Sequence, residues 1–394
     1  MAKRPDLHIP PSTSTVNVSI VDSTGSMRGF PVGIFLEPTI DGHEYQAAPC
    51  HCFLIQNPRL KRNLVFDLGI RKDHWNWPPR YVELMNSHGV DINVPKDVRD
   101  VLEEHGFDAK DIEGVIWSHP HSDHIGNPSV FEPSTALIVG PGVKDDLLPG
   151  YPANPEAEVI LESDYAGREV RELDFTRSDI KIGKLRAIDY FGDGSFYLLD
   201  APGHSIGHIC GFARVTSNPD SFILMAGDAI HHGGMLRPHP WQQLPESILP
   251  HPFTPSATAP CPGELFKPLL RGRTDVPFYK PASGCSGKPT AHRDPAETLE
   301  TIRKLQEFDA HDNIFLVAAH EYYIMGVVDF FPKTANDFAA KGWVQKVRWA
   351  FLADYAKAVG HDGKVANAAD WAPHPPASRP RLDRRVSSAD AARL

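Results

Sequence analysis

Residues 119–124, His-Pro-His-Ser-Asp-His, place three imidazoles and a carboxylate within six positions. Imidazole nitrogen and carboxylate oxygen together suit zinc and other first-row divalent metals. His119 and His121 stand two apart, so at a strand end they share a face and can grip one ion. Asp123 and His124 lie past the following turn and can grip a second. Two donors leave each ion incompletely held, so more must come from elsewhere in the chain.

They occur where apolar runs end. His204 closes FYLLDAPGH, Asp228 closes FILMAGD and His320 closes NIFLVAAH. Each run reads as a strand, so each donor should reach the same sheet edge. Ion one then takes His119, His121 and His204. Ion two takes Asp123, His124 and His320. Asp228 and a hydroxide bridge the pair. Two zinc ions are the expected cofactors, although the same donors accept iron, manganese or cobalt.

The elements that must position these residues are legible around them. VNVSIVDS (16–23), VGIFLEPTI (32–40), CFLIQNP (52–58) and NLVFDLG (63–69) read as strands between turns. Residues 96–106 read as a helix, with Val98, Val101, Leu102 and His105 at helical spacing, Pro95 near its start and Gly106 at its end. IEGVIWSH (112–119) is a short strand running straight into the metal motif. Residues 140–185 read as loop with short elements. Residues 231–294 are rich in Pro, His and Gly with little periodicity, and read as an insertion that partly covers a pocket. Asp294 and Pro295 then start a helix over 294–308, and 333–359 reads as helical. The organisation expected is an N-terminal extension (1–15), one domain (16–360) carrying the insertion, and a loosely ordered tail (361–394).

These segments, in this order, resemble the metallo-β-lactamase superfamily. His119–His124 matches its H-x-H-x-D-H motif. Phe66-Asp67-Leu68-Gly69 resembles its early D-x-G turn, APGHSIGH (201–208) its P-G-H-T-x-G-H segment, and MAGDAI (225–230) its G-D segment. Ser118 and Ser205 stand where threonines are usual. The 80 residues from His124 to His204 and the 92 from Asp228 to His320 are longer spacings than in the compact lactonases of the family. Three residues past the bridging aspartate, acyl-homoserine-lactone lactonases often carry a tyrosine; this chain has His231. The resemblance implies an α/β fold, the αββα sandwich of two mixed sheets flanked by helices. It also implies a metal-dependent hydrolase in which the bridging hydroxide opens a small lactone, lactam or cyclic carbamate, in quorum-signal degradation or detoxification. A thioesterase of the glyoxalase II or polyketide-release type is the alternative. A departing lactam nitrogen needs a proton, and Asp123, His231 and Tyr322 are the candidates to deliver it. Asp67 is expected to orient a histidine.

Composition narrows the classes further. The chain has 394 residues, 41% hydrophobic and 23% charged, with 37 prolines and a net charge of -10. That balance argues against general affinity for nucleic acid or anionic membrane, and a tRNA-processing nuclease is disfavoured with it. A small-molecule substrate is expected, with a homodimer among the assemblies the resemblance implies. Five cysteines fit a reducing compartment. Cys50-His51-Cys52 reads as ordinary buried cysteine, since no second pair answers it. The N-terminus has no apolar signal region, so the cytoplasm is expected; Ala392-Arg393-Leu394 loosely resembles the Ser-Lys-Leu peroxisomal address. His105, His208, His239, His251, His292 and His311 read as structural or exposed. A non-catalytic module that kept the fold would be expected to have lost ligands, and here the full set is present.

Overall fold

Apolar runs of β-branched and aromatic residues build two sheets, and the computed structural model describes residues 2–284, 289–363 and 365. The first sheet has seven strands in the order Asp91–Asn93, Asn17–Pro31, Tyr45–Asn57, Arg62–Phe66, Ile112–Ile116, Ala136–Val139, Val170–Glu172. The first four pair antiparallel and the rest parallel. The second has six, in the order Ile314–Val317, Ser221–Met225, Ile209–Thr216, Phe196–Asp200, Leu185–Asp189, Lys181–Ile182. Only its Ser221–Met225 and Ile314–Val317 pair is parallel.

The sheets meet face to face over Ile20, Phe53, Phe66, Ile116 and Ile138 from the first and Phe196, Leu198, Ile223, Met225 and Phe315 from the second. Helices cover both outer faces. Pro79–His88 and Val98–Glu104 bury Val82, Met85, Val98 and Leu102 on the first sheet. Pro295–Asp309 lays Ile302, Leu305 and Phe308 on the second, each worth about 1.5–3 kcal/mol of apolar burial. The fold is the αββα sandwich. Among the described residues no helix is long and apolar enough to cross a membrane.

Several local expectations need correction. Residues 32–40 do not form one strand. Pro31, Gly33 and Pro38 limit the segment to a 3-10 turn at Val32–Ile34 and a two-residue strand, Leu36–Glu37. Residues 333–359 are not one helix but a short one, Trp343–Val347, followed by 3-10 turns at Ala350–Tyr355 and Lys357–Val359. Phe338 and Trp343 bury between the sheets, whereas Phe351 and Leu352 bury on the outer face of the second sheet. One straight helix could not serve both. Trp77, Phe253 and Phe266 are buried core residues.

The described residues of 231–294 carry little regular structure yet are well anchored. Met235, Leu236, Ile248, Phe266, Phe278 and Tyr279 enter the core beneath the helix Pro295–Asp309. Arg237 adds a paired hydrogen bond to Asp309 (2.7 and 2.5 Å), and His239 Nε2 donates to the same carboxylate at 3.0 Å. At the other end of the chain, the tail expected from 361 lies, apart from 361–363 and 365, outside the described residues, as do Ala392-Arg393-Leu394 and Cys285.

Candidate metal centre

Four strands deliver the expected donors to one edge. Ile112–Ile116, Phe196–Asp200, Ser221–Met225 and Ile314–Val317 each end there at their carboxyl termini, and His119, His204, Asp228 and His320 follow within a few residues. Ligands favour this position in sheets with parallel strands. Backbone bonds fix the edge: Ile209 N donates to Ser118 O (2.8 Å), Ala319 N to Gly227 O (3.1 Å) and Arg293 N to His204 O (2.9 Å). Gly203 (φ 122) and Gly227 (φ 51) occupy conformations that favour glycine. A Cβ on Gly203 would meet Thr298 N at 2.3 Å, and one on Gly227 would meet Ser118 Cβ at 2.9 Å.

The geometry divides the donors into two groups joined by Asp228. His121 Nδ1 lies 2.9 Å from His119 Nε2 and 3.0 Å from His204 Nε2. Asp228 Oδ2 faces these rings, 3.8 Å from His119 Nε2 and 3.6 Å from His204 Nε2. Its other oxygen, Oδ1, faces His124 Nε2 (3.2 Å) and His320 Nε2 (3.1 Å), and His320 Nε2 also reaches Oδ2 at 3.3 Å. Asp123 Oδ2 completes the second group, 3.4 Å from His320 Nε2. All seven expected donors therefore converge. His119, His124, His204, Asp228 and His320 are buried; His121 and Asp123 are half-buried.

The outer ring nitrogens are committed elsewhere, which determines what the inner ones offer. His124 Nδ1 donates to Asp67 Oδ2 at 2.8 Å, and Ser118 N donates to Asp67 Oδ1 at 2.6 Å. His320 Nδ1 donates to Pro49 O at 2.7 Å. His204 is oriented through a second imidazole: His292 Nε2 donates to Phe35 O at 2.8 Å, leaving His292 Nδ1 to accept from His204 Nδ1 at 3.3 Å. A carbonyl or carboxylate on the outer nitrogen fixes the ring, so that the inner nitrogen can turn a lone pair to an ion once its own proton is lost.

The fit to divalent ions rests on unpaired atoms. His124 Nε2 and Asp228 Oδ1 are buried without a hydrogen-bond partner, an arrangement that normally costs about 1–3 kcal/mol per group. Burial, reinforced by neighbouring rings, holds His119 and His204 well below the usual imidazole range, and burial takes His121 down to about 4 against the pull of Asp123 and Asp228. These are neutral donors. Burial also opposes charge on His124 and His320, but the Asp228 carboxylate outweighs it and holds both well above that range.

Of the three candidate proton donors, two stand at this centre. Asp123 is in the second group. His231 Nε2 lies 3.1 Å from Asp228 Oδ2, off the line of a hydrogen bond, and both its ring nitrogens are buried and unpaired. Tyr322 requires correction: its hydroxyl donates to Asp354 Oδ1, and it lines a separate cavity with His251, Pro252 and Lys357. It opens the 3-10 turn Tyr322–Ile324, directly after Glu321. Two residues set aside in the sequence prove to be part of the surroundings. His292 orients His204, and His208 Nε2 accepts from Asp228 N at 3.1 Å. The second histidine of PGHSIGH was the available signal for His208; nothing local marks His292.

A cleft of about 580 Å³ opens on His121 and His204, with Ile206, Val159, Ile160 and residues 290–293 as walls and Asp146, Glu156 and Glu158 at its lining.

Comparison with known proteins agrees with this arrangement. Residues 46–311 match the Metallo-beta-lactamase superfamily. The chain is 40% identical to "Gamma-lactamase FDB1" of Fusarium pseudograminearum over 371 residues, 92% of this chain and 88% of that protein. It is 40% identical to "Metallo-hydrolase mfmC" of Annulohypoxylon moriforme, covering 91% and 92% of the two. It also aligns with 39% of the length of "Cytochrome P450 monooxygenase mpaDE'" of Penicillium brevicompactum, at 43% identity over 90% of this chain. Among solved structures, a variant of B. thuringiensis AiiA with N-decanoyl-L-homoserine bound superposes with a TM-score of 0.52 over 82% of this chain and 99% of that one. At 16% identity that likeness is one of fold. Family, fold and donor set agree: the chain belongs to the metallo-β-lactamase superfamily and is a metal-dependent hydrolase of its lactamase and lactonase type.

Proposed function

We propose that the protein opens a small, neutral lactam, cyclic carbamate or lactone at a dinuclear metal centre. The observation that carries this is Asp228, which belongs to two donor groups at once, one with His119, His121 and His204 and the other with His124 and His320. His119, His121 and His204 would hold one ion and Asp123, His124 and His320 the other. When bound, such a pair supplies a water of lowered pKa and a Lewis acid for the carbonyl. The chain does the rest. Ile206, Val159 and Ile160 give the ring an apolar wall beside His121. His231 presents unpaired ring nitrogens next to Asp228, and Asp123 a half-buried carboxylate, so either could take up the proton that the attacking water gives up and pass it to the departing nitrogen. Residues 16–360 act as one catalytic domain, with 231–294 supplying part of the cleft wall.

The name of the γ-lactamase relative supports a cyclic amide first. The thioesterase alternative is less well supported: coenzyme A and glutathione thioesters carry negative charge, and the cleft lining bears Asp146, Glu156 and Glu158 against one cation, Arg293, which pairs with Asp146 at 3.3 Å. Zinc-loaded protein should be incubated with lactams, cyclic carbamates, lactones and acyl thioesters, with a chelator control, and the products weighed. Chelator-sensitive gain of one water on a cyclic amide or ester is the expected result. Turnover of thioesters alone would overturn the proposal.

A further inference from the structure

Cys50-His51-Cys52 reads from the sequence as ordinary buried cysteine, but the fold gives Cys50 a more specific neighbourhood. The strand Tyr45–Asn57 holds the loop carrying His320 from two sides. Pro49 O accepts from His320 Nδ1 at 2.7 Å. One residue beyond Cys50, His51 N donates to Ala319 O at 3.0 Å and His51 Nε2 donates to Glu321 O at 3.0 Å. Cys50 lies between these two anchors and cannot move independently of His320. Its Sγ and the ligand atoms of Asp123 and His320 all lie within 4.8 Å of one another. The side chain is buried, at 3% exposure. The same half of the centre holds His124 Nε2 and Asp228 Oδ1, both buried and without a hydrogen-bond partner. Cys52 shares the strand face but belongs to no donor group among the described residues.

We propose that Cys50 is a further ligand of the second ion, binding it as a thiolate beside Asp123, His124 and His320. This rests on the dinuclear reading above. Coordination breaks the S–H bond: the electron pair stays on sulfur and is shared with the metal, and the proton leaves to solvent. The two halves of the centre then differ in character. The first is built of three imidazoles and a carboxylate oxygen. The second adds a soft sulfur donor, which favours zinc and cadmium over manganese or magnesium.

The test is optical. The full chain and its Cys50→Ser and Cys50→Ala variants are loaded with cobalt(II), and metal content and ultraviolet–visible spectra are recorded after circular dichroism confirms each is folded. The parent should bind two equivalents and show a near-ultraviolet thiolate-to-cobalt charge-transfer band. Both variants should lose that band while keeping the visible ligand-field absorption of the first ion. Two bound cobalt ions in the parent with ligand-field bands but no charge-transfer band would overturn the proposal and leave the dinuclear reading intact. A band that persists in both variants would assign it to another cysteine and overturn it equally. A parent that never takes a second equivalent would overturn the dinuclear reading and this proposal together, and metal content alone distinguishes that case.

Discussion

Replacing Asp67 with asparagine changes one atom and should disable half the centre. Asp67 is buried and sits at φ 61, a conformation asparagine tolerates as well as aspartate. Its backbone bond to Ile116 O (2.8 Å) is unaffected. The side-chain carbonyl of the introduced amide would keep the 2.6 Å bond from Ser118 N. The amide nitrogen would then face His124 Nδ1, which donates to Asp67 across 2.8 Å. Two donors cannot share that bond. His124 must move its proton to Nε2, the atom 3.2 Å from Asp228 Oδ1, and an N–H there offers no lone pair to an ion. Losing such a partner costs about 10–100-fold in metal affinity, or about 1.4–2.7 kcal/mol. Competition against a chromophoric chelator should show one of the two ions weakened by that factor and the other nearly unchanged. A folded Asp67→Asn protein that binds both ions like the parent would refute the tautomer reasoning.

Other outcomes follow from the same geometry. His121→Ala should abolish hydrolysis with little loss of fold, because the ring is half-buried and bonded only within the centre; an active, metal-replete variant would remove His121 from the ligand set. His292→Phe should lower affinity for the first ion by about 10–100-fold, since His204 loses the acceptor that holds its tautomer; unchanged binding would make His292 a packing residue. Asp309→Ala should cost about 3–5 kcal/mol in urea unfolding, because it leaves Arg237 buried without its partner. Although burial opposes it, Arg237 and His239 hold the Asp309 carboxyl well below its usual range. Its contribution is therefore present above an unfolded pKa of about 3.9 and drains as pH falls below that, so parent and variant should converge in acid. Gly227→Ala should destabilise the Asp228 turn by about 1–2 kcal/mol from backbone strain alone, read as a lower melting temperature; an unchanged melt would contradict the close packing on Ser118.

The donor set was readable because it obeys a local rule. Each ligand follows an apolar run of strand length, and Val115, Ile116, Leu198, Leu199, Leu224, Met225, Leu316 and Val317 are buried as such runs require. The tautomer of each ligand was not readable, because Pro49 O and Phe35 O come from segments distant in sequence, a strand and the end of a 3-10 turn. The helix Pro79–His88 went unseen because only Val82 and Met85 of its ten residues are buried, too few to write a period. The 231–294 segment offered no pattern either: its core residues enter singly from turns, anchored by Arg237 and His239 on a helix residue more than sixty positions away. The Cys50 environment was likewise out of reach, since a single thiol gains significance only when the His320 loop is laid beside it.

The most direct test is to titrate zinc into metal-free protein while following opening of a γ-lactam. A dinuclear hydrolase predicts that turnover climbs to a plateau at two equivalents per chain and disappears in the Asp228→Ala variant. Full turnover at one equivalent, or no addition of water to the ring at any zinc loading, would contradict it.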